Sequence, residues 1–140
     1  MRMNFLFSVL SLFFVLHSTR AHDFLDTIQD LIEICQKEVP QSEQDLQNFI
    51  KSNMDLAKAT NAVKCHSKCI LEKQGLFQKG VFDEKAFLNL TLNSSDLKDY
   101  HAEVVKAIDE CKKEKGADDC ETAFKINMCL RSKSDEVMGH

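Results

Sequence analysis

From Asp23 onward, apolar side chains recur at three- and four-residue intervals, which predicts helices along the whole chain. The first runs from Asp23 to Glu38, with Phe24, Ile28, Leu31, Ile32 and Cys35 on one stripe and Asp26, Asp30, Glu33 and Lys37 opposite. Pro40 ends it, and Ser42-Glu43-Gln44-Asp45 has the form of a capping box opening a short second helix that carries Leu46, Phe49 and Ile50. A charge-poor loop from Asn53 to Ala59 leads to a third helix built on Ala62, Val63, Cys65, Cys69 and Ile70, which Gly75 stops. Gly80 marks a turn between Leu76-Phe77 and Val81-Phe82, and Asp83 caps a fourth helix through Phe87 and Leu88. The fifth helix is predicted from Leu97 to Glu114 with Leu97, His101, Val104, Ile108 and Cys111 on its stripe, and Gly116 ends it. The sixth starts at Asp118 or Asp119 and carries Cys120, Phe124, Ile126, Met128, Cys129 and Leu130, leaving a polar tail from Arg131 to His140. With no strand-like alternation, repeat or linker, the fold class is all-α, a six-helix domain.

Residues 1–21 follow a different rule. Arg2, an apolar run from Phe5 to Leu16, and the small residues Thr19 and Ala21 have the form of a signal peptide cleaved before His22. The run is too short to span roughly 30 Å of hydrocarbon. Residues 22–140 are then one secreted, extracellular domain. Removing residues 1–21 takes Arg2 and Arg20 and leaves 16 basic against 22 acidic side chains, so the remaining chain is mildly acidic. An acidic chain with no basic run disfavours nucleic acid and anionic membranes as partners. A secreted chain also makes Asn89-Leu90-Thr91 and Asn93-Ser94-Ser95 candidate glycosylation sequons at Asn89 and Asn93, although Asn93, Ser94, Ser95 and Asp96 read first as helix N-caps.

Six cysteines in an oxidising compartment predict three disulfides. Cys65 and Cys69 lie one turn apart on one helix, each better placed to reach another part of the chain than to bond its neighbour. Cys120 and Cys129 are roughly 13 Å apart along a helix axis, too far to bond. Geometry leaves the other pairings open. Cys65, His66 and Cys69 would suit zinc only in a reducing cell, and His66, about 100° around the helix from Cys65, is expected in solvent. No G-x-S-x-G, H-E-x-x-H or glycine-rich calcium loop is present, so neither an enzyme, a metal site nor a cofactor is expected.

The spacing Cys35-x29-Cys65-x3-Cys69-x41-Cys111-x8-Cys120-x8-Cys129 resembles the six-cysteine signature of insect odorant-binding proteins along the whole chain after the signal. The resemblance implies pairing of Cys35 with Cys69, Cys65 with Cys120, and Cys111 with Cys129. It also implies six helices around an apolar cavity and a non-catalytic carrier of small hydrophobic ligands such as odorants, pheromones or fatty-acid-like molecules. A membrane receptor is the implied partner, and the implied state is a monomer or weak homodimer. Only 11 residues follow Cys129, too few for the cavity-filling tail of some relatives.

Candidate lining residues are apolar positions near helix ends and loops: Phe49, Ile50 and Met54, then Phe77, Phe82, Phe87 and Leu88, then Val104, Ile108, Phe124 and Met128. Tyr100 and His101 are candidates for orienting a polar head group, His101 being expected as a core histidine on the fifth helix's stripe. The same periodicity fits a second reading, a secreted disulfide-rich helical module whose core is full and whose surface binds another protein.

Overall fold

The computed structural model describes residues 27–94 and 97–139. The expected signal peptide, Phe24, Ser95 and Asp96 lie outside the described residues. The chain separates into two units, Met1–Ile34 and Cys35–His140. In the first, residues 27–34 are helical, with Ile28 and Leu31 half-buried and Ile32 and Ile34 exposed. The helix, α1, is described over residues 27–38 and contributes Cys35 to the second unit.

The second unit contains α2 (Glu43–Lys51), a 3₁₀ turn (Leu56–Lys58), α3 (Asn61–Lys73), a small hairpin of β1 (Phe77–Gln78) and β2 (Val81–Phe82), α4 (Glu84–Leu92), α5 (His101–Cys111) and α6 (Asp119–Met138). Except at α5, its α-helices start where short polar side chains satisfy free amides. Ser42 accepts from Asp45 N at 3.0 Å, Thr60 from Val63 N at 3.3 Å and Asp83 from Ala86 N at 2.9 Å. At α6, Asp118 accepts from Glu121 N at 2.8 Å while the Glu121 carboxylate accepts from Ala117 N at 2.7 Å. That amide and the Lys64 ammonium hold the Glu121 carboxyl below its ordinary pKa.

Helices α3 and α6 form the principal packing pair, with α5 against α6 and α4 against α5. Lys64 pairs with Glu121 at 3.0 Å and Asn127 donates to Ser67 at 3.2 Å across the first pair. Three disulfides staple the helices: Cys35–Cys69 joins α1 to α3, Cys65–Cys120 joins α3 to α6, and Cys111–Cys129 joins α5 to α6. Because α3 is tied to α1 through one cysteine and to α6 through the other, a wide arc of it is buried, including Val63, His66, Cys69 and Leu71.

Four elements differ from the sequence expectation. Asn93 is the C-cap of α4 rather than an N-cap, because its amide closes the last turn onto Asn89 and Thr91 carbonyls. Helix α5 begins at His101, one turn late, since residues 97–99 form a separate turn and Tyr100 N bonds to Leu97 O at 3.0 Å. The expected tail is helical: α6 continues to Met138 and closes on Gly139 in the left-handed conformation, φ 74°. Phe77 pairs with Phe82 in an antiparallel ladder whose two turn residues, Lys79 and Gly80, have φ of 50° and 76°.

Positive φ at both positions is the hairpin turn that favours Asn-Gly or Gly-Gly. A Cβ on Gly80 would also come within 2.8 Å of Asp119 Oδ1. A Gly80→Ala variant is expected to lose about 1 to 2 kcal/mol in thermal or urea unfolding, from backbone strain that moving the Asp119 side chain cannot relieve. Unchanged stability would show that the turn adopts another conformation.

Candidate ligand-binding site

Apolar side chains on α6 divide between two clusters. The larger contains Leu71, Leu76, Phe77, Val104, Ile108 and Ile126, with Phe82, Phe87 and Leu88 packed against it. Phe82 and Phe87 meet with ring centroids 5.7 Å apart. The smaller contains Phe49, Val63 and Phe124, with Met54, Ala59 and Met128 packed against it. The Phe49 and Phe124 centroids are 5.5 Å apart at a tilted angle, a favourable aromatic arrangement.

The candidate lining residues differ in burial and in the space they face, with Phe82 and Leu88 partly buried and packed on the larger cluster. Phe77, Ile108, Phe49 and Phe124 are buried, Phe77 completely. Phe87 and Val104 line a mostly apolar pocket of about 40 Å³, together with Thr91, Leu130 and Val137. Such a volume admits a few small atoms at most and not a long alkyl chain. Met54 and Met128 line an open groove of about 510 Å³ between the segment after α2 and the outer half of α6. Ile50 is 51% exposed and Tyr100 38% exposed. His101 is exposed in the first turn of α5, not a core histidine, because the helix starts there and Val104 and Ile108 carry the buried stripe.

The groove's inner wall depends on an unusual backbone. Asn53 and Met54 both adopt left-handed φ, 59° and 58°, directly after α2. Such conformations are uncommon outside glycine and cost energy unless surroundings hold them. Here Met54 N bonds to Phe49 O at 3.2 Å, Ser52 Oγ donates to the same carbonyl at 2.6 Å, and Asp55 N donates to Ser52 Oγ at 3.2 Å. The chain thereby reverses over Phe49 and brings Met54 to the Phe124 cluster. Methionine is unbranched and adaptable, so a wall made of Met54 and Met128 can yield to a guest more readily than a phenylalanine core.

The groove rim is electrically mixed, with Lys125, Arg131 and Lys133 against Glu114, Asp135 and Glu136. Lys133 bridges Glu110 at 3.0 Å and Glu136 at 3.5 Å. Its hydrogen bond to Glu110 raises the Lys133 pKa and lowers that of Glu110, so both remain charged and largely compensated. Among the described residues, no cluster of His, Cys, Asp or Glu is arranged to hold a metal ion.

His66 departs most from its expectation. It is 3% exposed rather than solvated, and its Nδ1 lies 2.9 Å from the Val39 carbonyl. Its signal was available in sequence, since Val63, His66 and Ile70 share a face at three- and four-residue spacing. Val137 was equally legible as a continuation of the stripe through Leu130 and Ser134. Asn89 and Asn93 are exposed, whereas the Thr91 hydroxyl is buried and donates to the Phe87 and Leu88 carbonyls, both at 3.0 Å.

Six helices, three interlocked disulfides and paired apolar clusters define a class of small disulfide-stapled carriers. Residues 18–133 match the PBP/GOBP family, and the chain belongs to that family of insect odorant- and pheromone-binding proteins. Among solved structures it is similar to the fatty acid binding protein OBP56a from the oral disk of the blowfly Phormia regina, with 30% identity and a TM-score of 0.64 over 81% of this chain and 94% of that one. It is also similar to odorant binding protein 4 of the predator Chrysopa pallens, at 25% identity and a TM-score of 0.64 over 82% and 92% of the two chains. Drosophila melanogaster odorant-binding protein OBP28a, at 22% identity and a TM-score of 0.63 over 83% and 96%, shares the fold. Comparison with curated protein sequences gave no significant match. Family and fold together make the chain a secreted, extracellular, non-catalytic carrier of small hydrophobic molecules.

Proposed function

We propose that the ligand is a flexible long-chain molecule, of the fatty acid, alcohol, ester or terpenoid type, and that it lies against Met54, Phe124 and Met128. The observation that carries this reading is that Met54 and Met128 belong both to the buried Phe49–Phe124 cluster and to the wall of the open groove. A guest sliding between two deformable methionines reaches apolar surface without breaking the larger core. The blowfly relative, a fatty acid binding protein, supports an aliphatic ligand. In this reading Phe49 forms the inner end of the site, and Phe87 and Val104 line an accessory pocket that widens only by side-chain motion. The exposed Ile50, Tyr100 and His101 stand at the surface, while Phe77 and Ile108 serve as core, with Phe82 and Leu88 packed beside them. Residues 1–21 act as the export signal, Asn89 and Asn93 are glycosylation candidates, and the carrier, a monomer or weak homodimer, delivers its cargo to a membrane receptor.

Purifying the secreted protein without detergent, extracting it with organic solvent and analysing the extract by mass spectrometry tests this reading. A long-chain compound in near-stoichiometric amount is expected. An empty extract from protein that also binds no added alkyl compound would favour a protein-binding module with a filled core.

A further inference from the structure

Met1 and Met3 fall in residues 1–21, so the rest of the chain has three methionines, Met54, Met128 and Met138. Two of them line one groove, Met54 just after α2 and Met128 on α6, and the same two pack on the Phe49–Phe124 cluster beneath it. Met138, 38% exposed at the end of α6, takes no part in that wall. A thioether sulfur is soft and polarizable, and it takes up an oxygen atom to become a sulfoxide without first losing a proton. No thiol or indole competes with these sulfurs, since among the described residues no cysteine is free and the chain has no tryptophan. The side chains best suited to accept oxygen thus stand where an apolar guest would lie.

Resting on the carrier reading above, we infer that Met54 and Met128 reduce hydroperoxides held in the groove, which makes the protein a stoichiometric scavenger of oxidised guests as well as a carrier. The substrate class is a hydroperoxide on an unsaturated aliphatic chain, formed when such a chain reacts with dioxygen. The methionine sulfur attacks the terminal oxygen of R–O–O–H, the O–O bond breaks, and the departing alkoxide takes the proton of the transferred hydroxyl. The hydroperoxide is thereby reduced by two electrons to the alcohol R–OH, and the thioether is oxidised by two to the sulfoxide. No other reductant takes part, so each sulfur reacts once and the two groove methionines convert two molecules per chain. Seating the guest against the sulfurs replaces a dilute encounter in solution by a local one, which is the source of the rate advantage.

The test incubates wild-type protein with methyl linoleate hydroperoxide or, separately, with hydrogen peroxide, and measures sulfoxide by peptide mass spectrometry. Trypsin separates the three methionines, since Lys51 and Lys58 bracket Met54, Lys125 and Arg131 bracket Met128, and Met138 follows Lys133. With the lipid hydroperoxide, Met54 and Met128 should oxidise about tenfold faster than Met138, with the lipid alcohol formed in equal molar amount. Hydrogen peroxide reaches every sulfur from bulk water, so Met138 should then oxidise at least as fast as the other two. Saturating methyl stearate should protect Met54 and Met128 but not Met138, and Met54→Leu and Met128→Leu should each halve the alcohol formed. Both rate comparisons use wild type, so they decide the matter even where a variant does not fold. Equal rates at all three methionines with the lipid hydroperoxide, or no lipid alcohol, overturn the inference and leave the carrier reading standing where methyl stearate binds. Wild type that binds neither methyl stearate nor the lipid alcohol removes the carrier reading and the inference together.

Discussion

A Cys65→Ser/Cys120→Ser double variant should melt about 15 °C below wild type, if it folds at all. The bridge between these residues closes the longest of the three loops, with a sequence separation of 55 against 34 and 18 for the others. On the chain-entropy account a loop of that length confines the unfolded chain by about 4 kcal/mol, and for a domain of this size each kcal/mol corresponds to about 4 °C. The bridge also crosses α3 to α6, the pair on which both apolar clusters depend, so its loss loosens the Val63–Phe124 and Leu71–Ile126 packing at once. Double replacement avoids leaving a reactive partner thiol. Replacing Cys111 and Cys129 with serine should cost less, near 3 kcal/mol, because the loop is shorter. Wild-type melting temperature in the first variant would show that the Cys65–Cys120 bond is absent from the secreted protein.

Much of this fold is legible because its helix starts are written in short polar residues. Ser42, Asp83 and Asp118 cap where the sequence placed them. The start of α5 was not legible because the cap-rich stretch at Asn93 drew the boundary forward, while the true N-cap, Tyr100, makes no side-chain hydrogen bond. The last turns of α6 looked like a tail because Arg131, Ser132, Asp135 and Glu136 are polar. They remain helical through Lys133, which reaches Glu110 on α5, and Val137, which lines the pocket beside Leu130. His66 is buried although it lies about 100° around the helix from Cys65, because α3 is bound to neighbours through both cysteines and has little solvent face. Within the site, apolar periodicity marked Phe49, Phe77, Phe124 and Met128 alike. That Phe124 meets Phe49 and Met54 while Ile126 joins the other cluster depends on how α6 rotates between its neighbours. The left-handed turn at Asn53 and Met54, which carries the groove wall, has no glycine to announce it.

The second large effect concerns ligand length. If an alkyl chain is buried between Met54, Met128 and Phe124, each added methylene should contribute about 0.8 kcal/mol, or about fourfold in Kd. A chain of about 12 methylenes yields about 10 kcal/mol, and association costs at least about 4, which leaves at most about 6 kcal/mol, a Kd of tens of micromolar or weaker, with longer chains reaching the low micromolar range. Such affinity allows a carrier to hold its cargo and still release it. The increments should stop once the chain fills the space the methionines open, because further methylenes remain in water. Displacement of a fluorescent apolar probe by 1-alkanols from C10 to C18 measures this directly. The predicted result is a Kd that falls about fourfold per methylene and then levels off in the micromolar range; no displacement below about 50 μM at any length, or displacement independent of length, would contradict an internal ligand site.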